Sequence, residues 1–155
     1  MIAAMTNTGD RHVADEAIAG VEQQFAVMFT KVKSSMKERA ARVHPDLQPL
    51  AYNILRTLVR SGPTHASALA ESLSLDKSII SRQANLLEEL GFLERQPDPE
   101  DRRATYFAAT PAAIERVTEV RLTDQAMLYE SLRDWQLPDL KKLGELLARI
   151  NELGL

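Results

Sequence analysis

The stretch KSIISRQANLLEEL, residues 77 to 90, spaces its polar side chains in a way that suits contact with a nucleic acid. At 3.6 residues per turn, burying Ile80, Ala84 and Leu87 turns Lys77, Ser78, Ser81, Arg82 and Asn85 to the opposite face. That set carries the hydrogen-bonding chemistry of a major groove. Arg82 can pair bidentately with guanine and Asn85 with adenine, while Lys77, Ser78 and Ser81 can reach phosphates or base edges. Any amphipathic helix has a polar face, so charge placement has to separate the two readings. Apart from Asp76 at the helix start, the acids here are Glu88 and Glu89, both at the far end, and the half that would enter a groove has no carboxylate inside it.

A second group lies in PDPEDRRATYFAAT, residues 97 to 110, where Pro97 and Pro99 stiffen a mixed-charge turn ending in Arg102 and Arg103. The acids Asp98, Glu100 and Asp101 oppose contact with phosphate. The stretch makes sense as a contact if Asp101 pairs with Arg103 and fixes its rotamer while Asp98 and Glu100 point away. Placement matters because bulk charge is unfavourable: between residues 64 and 106 five basic side chains face eight acidic ones. A further basic run, Lys31, Lys33, Lys37, Arg39 and Arg42, reads as a solvated helix face.

The elements that must hold these groups follow from periodicity and stop signals. Apolar residues at helical spacing predict one long helix over 14–43, ended by His44-Pro45. Asp46 is the expected cap of a second helix striped by Leu47, Leu50, Ile54, Leu55 and Leu58, which Ser61-Gly62-Pro63 stops. Thr64 is the expected cap of a short helix, and Asp76 that of the polar-faced one, which Gly91 closes. Ala70 supplies the small side chain that a close helix crossing needs, and Ser74 stands in a tight turn where glycine is common. Residues 92–96 and 105–109 predict a hairpin. Thr110-Pro111 launches a helix to about residue 133, and Leu137-Pro138-Asp139 starts the last, with 1–12 expected to be disordered. The fold expected is mainly α with a small β-hairpin wing, a winged helix-turn-helix. The long terminal helices would form an intertwined dimerisation module, because a helix of about 44 Å barely fits a monomer of this size.

With 155 residues, 45% hydrophobic and 26% charged, the chain fits one globular domain. It has no cysteine, which excludes disulfides and thiolate metal sites. The three histidines, His12, His44 and His65, fall in separate segments without ligand spacing and read as surface or boundary residues; the six glycines form no phosphate loop. No enzyme activity, metal or cofactor is expected. No apolar run approaches a membrane span and the N-terminus lacks a signal-peptide pattern, so a cytoplasmic location without membrane contact is expected. The net charge of −3 argues against an indiscriminate nucleic-acid binder.

The residues GPTHASALAESLSLDKSIISRQANLLEELGFLERQPDPEDRRATYFAAT resemble the MarR family of bacterial transcription regulators. The likeness lies in the LA-containing helix, the LDKSIISR start, the LEELGFLER exit and the DPEDRRA wing, and the long flanking helices extend it over most of the chain. It implies a homodimer on a double-stranded, pseudo-palindromic DNA operator, usually a repressor, often released by a small aromatic or phenolic effector. By this resemblance residues 46–110 form the DNA-binding domain, and 12–44 with 111–155 the dimerisation helices. Arg103 then matches the wing-tip arginine that enters the minor groove, Asp101 the acid that holds it, and Arg82 a position facing the major groove. Family pockets between the dimer helices and the reading domain would bring Met36, His44 and Leu47 near Val117. One departure is visible: the family's wing ends in Leu-Thr followed by two residues and Gly, but this chain has Ala109-Thr110-Pro111-Ala112-Ala113. A winged helix used for dimerisation or protein contact, without specific DNA binding, is the alternative reading.

Overall fold

The computed structural model describes residues 8–98 and 105–153, which form six helices and a three-stranded antiparallel sheet. Helix α1 (Thr8–Val43) runs for 36 residues, about 54 Å at 1.5 Å per residue. It begins ahead of the expected residue 14, so residues 8–12 are helical rather than disordered; Asp10 in the first turn complements the helix dipole. The next helix corrects a second expectation. Asp46 caps nothing: its backbone N–H donates to His44 Nδ1 at 3.2 Å. Helix α2 (Pro49–Ser61) starts at Pro49, whose fixed φ and missing N–H suit a first helical position.

Gly62, at φ 76°, then turns the chain into strand β1 (Thr64–His65), where a helix cap was expected at Thr64. A backbone pairing partner decides this, because Thr64 and His65 lie opposite Phe107 and Tyr106. Helix α3 (Ala66–Leu73) follows. Ser74 adopts the left-handed conformation (φ 53°, ψ 44°) that the tight turn demands, and Leu75 N–H donates back to Ala70 O at 2.9 Å. Asp76 takes the N-cap position of helix α4 (Lys77–Glu89). Strands β2 (Leu93–Pro97) and β3 (Thr105–Ala109) form the hairpin, with Leu93 opposite Ala109 and Pro97 opposite Thr105, and the sheet order is β1-β3-β2. Thr110 caps helix α5 (Pro111–Leu132), its Oγ1 accepting from Ala113 N–H at 3.3 Å. Helix α6 (Leu137–Asn151) completes the described chain.

Helix α2 is the hub of the core, packing on α1, α4, α5 and β3. Ile54, Leu55 and Leu58 from α2, Leu69 from α3, and Ile80 and Leu87 from α4 are fully buried. Each such side chain contributes about 1.5–3 kcal/mol relative to exposure. Burial stops abruptly outside this body: from residue 10 to 24 every side chain of α1 is exposed, and α6 buries none. Among the described residues no helix is long and apolar enough to cross a membrane.

Candidate nucleic-acid interface

The turn at Ser74 sets α4 across α3, and Ala70, only 5% exposed, is the small residue at their crossing. With Ile80, Ala84 and Leu87 at 0% exposure, the inward face of α4 is fixed. Its helical period therefore places Lys77, Ser78, Ser81, Arg82 and Asn85 outward, and all five are exposed. Lys77 and Arg82 make no ion pair or side-chain hydrogen bond among the described residues, so both charges remain available to a ligand. Arg82 thus has the reach and the donor fork for a guanine edge or a phosphate.

Asn85 is placed differently from its neighbours on this face. Its Oδ1 accepts a hydrogen bond from a terminal guanidinium nitrogen of Arg95 on β2, while Arg95 Nε donates to Glu88 Oε2 at 3.1 Å. The same guanidinium lies 5.3 Å from the Phe107 ring centroid. Arg95 was not singled out in the sequence, although alternation held the signal: it follows buried Leu93 by two and so shares the strand face turned toward α4. Its contact with Glu88 also moderates the acidity at the C-terminal end of α4.

A comparable contact closes the foot of the wing. Asp98 Oδ2 lies 3.2 Å from His65 Nε2, and the His65 ring packs on Tyr106 with centroids 3.8 Å apart. The Asp98 side chain is only 11% exposed, so its carboxylate turns inward rather than toward a bound phosphate. His65, expected as a surface or boundary residue, is part-exposed and makes this contact at the wing root. Asp101, Arg102 and Arg103, with Glu100, lie outside the described residues.

The basic run on α1 divides. Lys31, Lys33 and Lys37 are exposed, but Arg39 and Arg42 turn onto α5, where Asp124 accepts from Arg39 Nε and from Arg42 Nη1, the latter at 2.7 Å. Arg42 also donates to Val120 O at 3.0 Å. Burial raises the pKa of Asp124, but hydrogen bonds from Arg42 and Arg39 outweigh it and hold the carboxyl below its ordinary value. Leu47 is closed into the core, and Met36 is partly buried against it. Val117 borders a cleft of about 610 Å3 between α2 and α5, lined also by Arg56, Val59, Arg60, Ile114, Thr118 and Arg121. The cleft has an apolar floor and three guanidinium groups at its edge. Within the described residues, no group of three or more His, Cys, Asp or Glu side chains is arranged to hold a metal ion.

Comparison with known proteins agrees with this fold. The family model described as MarR family matches residues 47–105, from just before α2 to the first residue of β3. An uncharacterized HTH-type transcriptional regulator of Bacillus subtilis, YxaD, is 33% identical over 107 residues, covering 69% of this chain and 75% of that protein. A second from the same organism, YhbI, is 27% identical over 143 residues and covers 90% of this chain and 93% of its own length. Among solved structures, a MarR family protein from Bacillus stearothermophilus superposes with a TM-score of 0.77 at 15% identity, covering 89% of this chain and 95% of that one. Streptococcus pneumoniae FabT, solved in complex with DNA, gives a TM-score of 0.71 at 14% identity over 85% of this chain and 96% of its own.

Proposed function

The chain belongs to the MarR family of transcriptional regulators, and from that premise we propose that it is a sequence-specific repressor binding a pseudo-palindromic operator as a homodimer. The observation that carries this reading is the outward face of α4, where Lys77, Ser78, Ser81 and Arg82 stand exposed on a helix locked by Ile80, Ala84 and Leu87. Arg82 reads the major groove, Lys77 and the two serines fix the register on phosphates or base edges, and Asn85 joins Arg82 at the base edges. The hairpin brings Arg102 and Arg103 to the flanking minor groove, with Asp101 holding Arg103. That division is drawn from sequence and resemblance.

Dimerisation is supported by apolar surface that one subunit leaves uncovered. Leu143, Leu146 and Leu147 on α6 and Val13, Ile18, Val21 and Phe29 on α1 are all exposed. A second copy covering these helices sets two α4 elements on one DNA face, roughly 34–36 Å apart or a multiple of it. Release of the operator by a small effector is supported by the cleft between α2 and α5, whose arginines and apolar floor suit an aromatic carboxylate or phenolate.

Fluorescence anisotropy on DNA fragments surrounding the protein's own gene tests this function. The expected outcome is a complex confined to particular fragments, with the logarithm of its affinity falling linearly with log salt concentration. Binding of equal strength to every fragment, or none at low salt, would refute the operator reading in favour of a protein-contact module.

A further inference from the structure

We propose that Arg95 is a positioning residue for sequence reading, acting through Asn85. The proposal rests on the operator-binding function above and deepens it. A free asparagine amide turns about a broad, two-fold terminal torsion, so it presents donor and acceptor to a groove without preference. A guanidinium only donates, so an amide held by one must direct its oxygen to it. Arg95 does this to Asn85: its terminal nitrogen donates to Oδ1, which leaves the amide NH2 facing away from the wing. Asn85 is thereby set as a donor toward base acceptors such as N7 of a purine, with one lone pair of Oδ1 still open to an adenine amino group.

The guanidinium is itself held on three sides, which makes it a fixed reference rather than a mobile surface arginine. Glu88 accepts from Nε at 3.1 Å, Asn85 accepts from the terminal nitrogen, and the Phe107 ring lies beneath at 5.3 Å. Phe107 is 4% exposed and stands opposite Arg95 in the β2–β3 register, so this cluster ties the wing to the reading helix. Ordering Asn85 before binding removes an entropy cost that a free side chain would meet on the DNA.

The test uses the full-length protein and an operator selected by the wild type from random-sequence DNA. Affinities are measured for wild type, Arg95→Met, Asn85→Ala and the double variant, on that operator and on versions changed at each base pair. Methionine keeps an apolar stem over Phe107, and unchanged unfolding midpoints establish that the variants fold. The expected result is that Arg95→Met loses discrimination at the same base pair as Asn85→Ala. The double variant should be no worse than Asn85→Ala alone, a coupling of roughly threefold or more. Arg95→Lys should restore part of the discrimination, and the salt slope should stay at the wild-type value. Additive losses, or a loss spread evenly over all base pairs, would overturn the proposal. A salt slope lowered by about one also overturns it, because Arg95 would then be a phosphate contact. A wild type that selects no sequence overturns the operator reading and this proposal together; additive variants of a selective wild type overturn this proposal alone.

Discussion

Replacing Asp124 by asparagine removes one charge without changing shape, at the point where α1 is tied to α5. Asp124 accepts from both Arg39 and Arg42, and the three side chains are 22%, 30% and 39% exposed respectively. A buried hydrogen bond to a charged group is worth about 1.5–3 kcal/mol. Surface ion pairs fall to ~0–1 kcal/mol, and this partly exposed pair of bonds lies between, for a combined loss of about 1–2 kcal/mol. The variant also leaves two guanidinium groups side by side without their shared anion, although Arg42 keeps its bond to Val120 O. For a chain of this length the loss corresponds to a fall of ~2–8 °C in the unfolding midpoint. The pH dependence has a definite sign. The folded carboxyl titrates below its ordinary value, so its contribution is complete above the unfolded pKa of about 3.9 and is lost as pH falls through the folded value. Urea unfolding at one fixed protein concentration should therefore give a gap between wild type and Asp124→Asn that is widest at ~pH 7 and narrows below ~pH 4. A gap that persists undiminished at ~pH 2.5, or is absent at ~pH 7, would refute the clamp.

The proposed interface and assembly make four substitutions informative. Arg82→Ala should relax sequence preference at one position and cost about 1–3 kcal/mol in operator affinity, whereas Arg103→Ala should weaken all operators more evenly and reduce preference for A·T-rich flanks. Competition anisotropy on operator variants checks this, and Asp101→Ala should weaken binding despite removing a negative charge. Leu147→Glu on α6 should convert a dimer into a monomer of 17.3 kDa in sedimentation at micromolar concentration, with operator affinity falling alongside; an unaltered dimer would remove α6 from the interface.

The helix that carries the candidate reading face was legible because its determinants are local. Ile80, Ala84 and Leu87 recur at the helical period, and Asp76 and Gly91 bound them, so the outward set followed from spacing alone. Thr110 with Pro111 likewise declared the start of α5. The errors fell where two local signals competed or where none existed. Asp46 and Pro49 both mark a helix start, and the proline prevailed. Strand β1 has only two residues, too few for any period, and exists because β3 offers it a pairing edge.

By itself, then, the sequence determined the order of the six helices and the hairpin and the faces that α2, α3 and α4 bury, since backbone preference and side-chain period act within a few residues. The tertiary structure decided which polar groups stay available. Asn85 is oriented by Arg95, while Asp98 is engaged by His65 and Arg39 with Arg42 by Asp124, across separations of 10, 33 and more than 80 residues. Those pairings follow from how the elements dock, and a hydrogen bond, which acts over about 3 Å, leaves no trace in local spacing when its partners lie far apart in the chain.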